Sequence, residues 1–266
     1  MEIPLSRWHA AIPRRKSRRL FDPAGLEPGV LAQLETLCRE FRPFPQARAE
    51  LTTQLVDRVL RGIVGSYAKV RGAPALIAFI GDMNDRHVQE KVGYTGEGII
   101  LEATAMGLDT CWVGGLYRPK TAASVFGIGI NEKVISVTPV GRALERRPLD
   151  ERMMTAYARS HRRKPLSKLV TGLNEAQYPR WIKASLEAAR LAPSAVNRQP
   201  WRFHVEPDSI TVSAGPPRIT YGISKRLDCG IAMLHIEVAA MDCGVRGTWE
   251  FLDPPRVARF TVTGGG

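Results

Sequence analysis

The sequence predicts an α+β protein made of two unequal half-copies joined in one chain. Three observations carry that expectation. The order helix, strand, long helix, glycine-capped end, strand occurs twice along the chain. The two long helical patterns end alike, in AMGLDTCWVGG at 105–115 and AMDCGVRGTWE at 240–250. A polar, basic stretch over 145–177 holds only scattered apolar residues and reads as an extended crossing segment between them. A repeat of this length is too long for a solenoid, and its simplest meaning is a fused dimer.

The elements follow in order. Val30, Leu31, Leu34, Leu37, Cys38 and Phe41 recur at helical spacing, so 28–41 reads as an amphipathic helix. Leu51, Leu55, Val56, Val59, Leu60 and Ile63 predict a second helix by the same spacing. Gly72-Ala73-Pro74 breaks the chain, and Ala75 to Ile80 reads as a buried strand. A long helix follows from about Asn84 to Met106, with Gly107 as its C-cap. Short strands are expected over Thr110 to Val113 and Val134 to Val140.

The second copy restarts with a helix from about Tyr178 to Leu191. A strand opens at Trp201, and Glu206-Pro207-Asp208 turns it into another at Ile210 to Val212. A long helix from about Asp228 to Cys243, capped by Gly244, precedes strands at 245–250 and 257–263.

Composition bounds the function. An apolar fraction of 44% and a charged fraction of 24% are ordinary for a globular chain. The longest apolar run, Ala73 to Ile80, is far short of a bilayer span, and the first residues carry charge and a proline where a signal peptide needs an apolar stretch. The cytoplasm is the expected setting. Cys38, Cys111, Cys229 and Cys243 lie in apolar contexts without metal-type spacing and read as isolated buried thiols. The five histidines form no metal cluster.

The net charge of +12 invites polyanions. Its basic residues concentrate in RRKSRR (Arg14 to Arg19) and HRRKP (His161 to Pro165), neither interleaved with aromatics as single-strand binders are. There is no zinc-finger spacing, basic zipper or recognition helix, so nucleic acid is not the expected partner. Two compact clusters suit convergence on one phosphate.

Four strings carry chemistry. In RRKSRRLF (14–21) arginines offer forked donors and Ser17 a hydroxyl, the donor set a phosphate needs. Pro13 argues against helix here, and in an extended stretch Arg15, Ser17 and Arg19 point one way. RRKPLSKLV (162–170) is a second basic string. In GLDTCWVGG (107–115) a helix stops, a strand carries Trp112, and paired glycines let a backbone approach a flat ring. APSAVNRQPWRF (192–203) is a Pro-Ser turn presenting amides, a hydroxyl and the Asn197 amide, with Trp201 expected in the core. YTGEG (94–98) lies within a helical pattern and is no dinucleotide loop. Glu97 and Glu102, on the long helix, are expected in surface or capping roles, and no Ser-His-Asp or Cys-His set stands out.

Together these strings resemble the FMN-dependent nitroreductase family, and in particular its one-chain pseudo-dimer subgroup. The resemblance implies a nitroreductase-like fold with central mixed or antiparallel sheets flanked by helices. Its N-terminal half would span 1–168 and its C-terminal half 169–266, the two intertwined as one unit. It implies FMN as cofactor, its phosphate held by Arg15, Lys16, Ser17 and Arg19, joined by Arg162 and Lys164. Arg146-Arg147-Pro148-Leu149 is a rival to that last pair. Val113, Gly114 and Gly115 would lie beside the reactive face of the ring, where many relatives carry an acidic residue in place of Gly114. Pro193, Ser194 and Asn197 would contact the flavin from the other half-copy.

The N-terminal half lacks the Pro-Ser turn, since FRPFPQARAEL (41–51) stands there, and the C-terminal half lacks the basic opener. One complete site is therefore expected, in a chain that works as a monomer. The implied activity is ping-pong hydride transfer from NAD(P)H through flavin N5 to nitroaromatics, quinones or other electron-poor acceptors, with no catalytic side chain required. Two other readings stay open: a polyanion-binding protein, and a flavin-binding relic without turnover.

Overall fold

A computed structural model describes residues 1–60, 70–144, 162–216 and 222–263. The first part holds helices α1 (Leu5–Ala11), α2 (Pro28–Glu40), α3 (Val56–Leu60), α4 (Val88–Ala105) and α5 (Pro119–Val125). Its strands are β1 (Ala47–Thr52), β2 (Ala75–Asp82), β3 (Asp109–Thr110) and β4 (Glu132–Gly141). The second part has β5 (Val170–Gly172), α6 (Arg180–Leu191), β6 (Trp201–Glu206), β7 (Ser209–Ala214), α7 (Lys225–Asp242), β8 (Gly247–Phe251) and β9 (Arg256–Val262).

Two sheets form, in the orders β1-β2-β4-β3 and β5-β6-β7-β9-β8. Without β5 they have the same pattern, every neighbour antiparallel. β5, at the end of the crossing segment, pairs in parallel with β6 through Val170↔Phe203 and Gly172↔Val205. The result is the expected α+β architecture, with one mixed and one antiparallel sheet.

The sheets are tied together by α4 and α7, which are buried nearly all round. Such helices belong in the middle of a core. They cross where Gly93 and Gly230 remove side chains from the contact. A Cβ on Gly93 would stand 2.1 Å from the Leu227 carbonyl oxygen, and one on Gly230 would stand 2.0 Å from that of Glu90. The contact is reciprocal, because Glu90 and Leu227 are separated by the same length of chain as Gly93 and Gly230. Gly107 and Gly244, which follow the two helices, share that separation.

β2 explains its unbroken apolar run by being covered on both faces. Ala75, Ile77 and Phe79 face a large core shared by α4, α6, α7 and the second sheet. Leu76, Ala78 and Ile80 face a smaller one with Phe21, Val56 and Leu60.

The helix expected over 51–63 is corrected. Ala47 to Thr52 form β1, because Ala47 and Ala49 are buried in alternation with Arg48 and Glu50, a period of two. Leu55 then takes φ +54°, so the helix starts only at Val56. Ile63, much of the crossing segment, and the rival string at Arg146 and Arg147 lie outside the described residues. The short strand expected over 110–113 is only Asp109–Thr110, with Val113 in a separate bridge to Val137. Cys38, Cys111 and Cys229 are buried free thiols, while Cys243 is half-buried. Among the described residues, no helix is long and apolar enough to cross a membrane, and no group of side chains is arranged to hold a metal ion.

Candidate functional site

After α1 the chain runs extended beside β3. Ser17 bridges Thr110, and Arg18 N–H donates to the Thr110 carbonyl at 2.9 Å. Buried Phe21 anchors the end of the run. This carries Arg15 inward until its side chain is only 7% exposed. Arg15 Nε stands 3.9 Å from Glu97 Oε1, an ion pair too long for a hydrogen bond. Its Nε and one terminal nitrogen, both buried, have no hydrogen-bond partner. Lys16 is exposed, and Ser17 and Arg19 are half-buried.

The 192–200 turn is strained and bolted down. Val196, Asn197 and Gln199 all take positive φ, at +45°, +54° and +47°. For a β-branched valine that is a true outlier, of the kind that clusters at ligand clamps. Gln199 N–H donates to Ser194 Oγ at 2.9 Å. Arg198 Nε donates to Asp228 Oδ2 at 2.6 Å in a buried ion pair, and Ala195 N–H donates to Asp228 Oδ1 at 3.2 Å. The turn is thereby fixed to the first turn of α7. Pro193 is buried, and Trp201 is core as expected.

The second basic string is zipped onto this turn. Asn197 Nδ2 donates to the Arg162 carbonyl at 2.9 Å, and Arg163 donates to Asn197 Oδ1 at 2.9 Å. Lys164 N–H donates to Gln199 Oε1 at 2.8 Å, and Lys164 Nζ donates to the carbonyls of Arg198 and Gln199 at 2.7 and 3.0 Å. The Lys164 ammonium is thus engaged with backbone, and the Arg162 side chain is exposed. The residue turned inward is Arg163, between them, as alternation along an extended chain requires. Burial, then the nearby positive charge of Arg15, hold the Arg163 guanidinium down to about 10.

The glycine loop completes the neighbourhood. Val113 pairs with Val137 through two backbone hydrogen bonds of 2.8 and 3.0 Å. Gly114 then faces Ile223, where a Cβ would come within 3.3 Å of three of its carbons. The Ile223 carbonyl accepts from Arg198, so loop and turn meet at one point. Arg15 lies near Arg163, Arg163 bonds to Asn197, and Gly114 lies beside the residue that Arg198 holds. Strings far apart in sequence converge. Gly115 stands exposed at the surface of the loop.

Below them lies a buried network that the sequence reading missed. Glu97 and His235 are both 0% exposed, which corrects the surface or capping role expected for Glu97. Glu97 Oε2 accepts from Trp112 Nε1 at 2.8 Å, and Glu97 Oε1 lies 2.9 Å from His235 Nε2. His235 Nδ1 lies 2.9 Å from the Ala188 carbonyl, which can only accept. Nδ1 therefore donates to that carbonyl, and both oxygens of Glu97 are engaged, one by Trp112 and one by His235. The signal in the sequence was a glutamate set between Gly96 and Gly98 in the middle of the long helix. Glu102 is also engaged, accepting from Trp8 Nε1 at 2.8 Å and pairing with Arg7 at 2.5 Å.

The matching place in the second half is filled. Trp249-Glu250-Phe251 corresponds to Trp112-Val113-Gly114 at the same sequence separation. Phe251 packs edge-on against Phe44 at 5.4 Å between ring centroids and stacks on His87 at 5.4 Å. Lys91 Nζ stands 5.0 Å from the Phe251 centroid.

The two sheets around a pair of buried helices have the architecture that the nitroreductase resemblance implies. A family profile described as "Putative TM nitroreductase" matches residues 8–240, and the chain belongs to that family. A solved structure described as a putative nitroreductase from Thermotoga maritima is 19% identical, covers 96% of this chain and 93% of its own, and superposes with a TM-score of 0.67. It shares the fold. A nitroreductase with bound FMN from Bacteroides fragilis is 17% identical over 53% of this chain and 91% of its own, with a TM-score of 0.42. An FMN-dependent nitroreductase from Clostridium difficile is 16% identical over 52% of this chain and 88% of its own, with a TM-score of 0.44. No curated protein matches the sequence.

Proposed function

We propose that this chain is an FMN-dependent NAD(P)H oxidoreductase of the cytoplasm, a fused pseudo-dimer that works as a monomer with one flavin site. The observation that carries the reading is Arg15. A buried guanidinium with two unpartnered nitrogens, close to a second arginine, needs an anion. A flavin phosphate supplies two negative charges and three acceptor oxygens. The residues present fit it.

Arg15 and Arg163 are assigned to the phosphate, with the Ser17 hydroxyl and with Lys16 and Arg19 at the rim. Arg162 and Lys164 act through their backbone and through the turn. The main chain at Val113, Gly114 and Gly115 lines the ring on one side and the Pro193–Ser194–Asn197 turn on the other. In this reading residues 1–168 supply the basic string and glycine loop, and 169–266 supply the turn. Bound FMN would supply two-electron chemistry, taking hydride from NAD(P)H and passing it to a nitroaromatic, quinone or similar acceptor. The protein's part is to hold the phosphate, keep the cleft dry and present backbone donors to the ring. No side-chain acid or base is required.

The test is direct. Purified protein, after incubation with FMN and desalting, is expected to be yellow and to release about one flavin per chain on denaturation, as one set of binding strings requires. It should then oxidise NAD(P)H with a quinone. Retention of no flavin removes the reading, and salt-sensitive binding to random DNA that ignores FMN would favour the polyanion alternative. Flavin retention without turnover would leave a relic.

A further inference from the structure

We propose that Glu97 is a positioning residue for the anion site: it holds Arg15 in place without consuming its hydrogen-bond donors. The inference rests on the flavin reading and goes beyond it, because Glu97 is assigned no contact with the ligand and meets its strings through Arg15 and Trp112.

The argument is one of competition for a carboxylate. A buried arginine beside a free glutamate would close onto it as a bidentate pair, with both donors spent. Here both oxygens of Glu97 are already engaged. Oε2 is taken by Trp112 Nε1 at 2.8 Å and Oε1 by His235 Nε2 at 2.9 Å. His235 is itself held by the Ala188 carbonyl on α6. The carboxylate is therefore fixed by two halves of the molecule and cannot swing toward Arg15. It stops at 3.9 Å, close enough to attract the guanidinium and too far to bond it. Two Arg15 nitrogens remain without partners in a buried place.

The same carboxylate anchors Trp112, two residues before Gly114. Glu97 thus ties the phosphate end of the cleft to the loop at its ring end. Its location at the middle of α4, against α7, places this tie in a helix that is buried nearly all round.

The experiment compares FMN with riboflavin, which carries the same ring and no phosphate. Binding of both to apoprotein is followed by quenching of flavin fluorescence. For Glu97→Gln, which keeps the size and hydrogen-bonding capacity of the side chain, FMN affinity is expected to fall roughly tenfold while riboflavin affinity stays within about twofold. In an Arg15→Ala background the same substitution should change FMN affinity by less than about twofold, since Glu97 then has no arginine to position. Should Glu97→Gln not fold, Glu97→Asp, which keeps the charge but withdraws it by one methylene, carries the same comparison with the same expected split.

Equal loss of both flavins would show a merely structural role and overturn the proposal. So would no loss of either, or an undiminished FMN penalty in the Arg15→Ala background. A wild-type chain that binds neither flavin overturns the flavin reading and this role with it. Wild-type binding without the split overturns this role alone.

Discussion

In the proposed flavin site Arg15 stands at the phosphate end and Gly114 at the ring end, and each answers to a single substitution. Charge-assisted hydrogen bonds contribute about 1.5–3 kcal/mol each, so Arg15→Ala should weaken FMN binding by roughly one to two orders of magnitude, read by fluorescence titration. Arg163→Ala should weaken it in the same way, whereas Arg162→Ala, whose side chain is exposed, should not. Equal effects of the two would return the phosphate assignment to the string as a whole. Gly114→Phe recreates the residue found at the matching place in the other half, Phe251, and should abolish flavin uptake while the chain still folds. At this scale the basic string and the Pro-Ser turn were legible from their donors and their spacing. Arg163 was not, since in a run of three cations only the backbone path decides which one faces inward.

Among the elements, the α4–α7 crossing is the most exacting contact. Gly93→Val must force apart two backbones that a Cβ would bring to 2.1 Å, and overpacking of this kind costs about 3 kcal/mol. For a chain of this size that is a fall of roughly 6–12 °C in Tm by calorimetry.

A second test lies at the edge of the first sheet. Arg48 on β1 grips Glu132 of β4 with two hydrogen bonds of 2.6 and 2.7 Å. Those bonds, joined by the Gly129 backbone N–H and the charge of Arg48, hold the Glu132 carboxyl down to about 2 against the opposing effect of burial. Its folded pKa lies below its unfolded one, so its stabilisation is present above pH 4.5 and is lost as pH falls through about 2. Glu132 is partly solvated, and screening limits the effect to about 1 kcal/mol. Glu132→Gln should therefore lower stability by that amount at neutral pH and leave it unchanged near pH 2, measured by urea unfolding.

The long helices, their glycine ends and most strands were legible because their periodicity is local. β1 was not. Its two buried residues are alanines, a weak apolar signal, and its pairing with β2 crosses a long connection.

The whole molecule is asymmetric although its two sheets share one strand order. One cleft has a buried arginine, a glycine loop and a strained turn. Its counterpart has Phe44, Phe251 and His87 packed together under Lys91. The expected outcome is a monomer in light scattering, carrying about one flavin per chain at saturation, because among the described residues the assigned strings come together once and aromatic rings occupy the matching place. Two flavins per chain would mean that the aromatic cluster opens.

The sequence by itself determined that this chain carries each string assigned here to the flavin once, because those strings are short and their chemistry is written in neighbouring residues. Only the tertiary structure decided that Arg163 turns inward, that Glu97 and His235 meet in the buried interior beneath Arg15, and that aromatic rings pack at the place in the second half that matches the glycine loop. The physical reason is that each of these depends on contacts between segments far apart in sequence, of which the α4–α7 crossing joins residues more than half the chain apart.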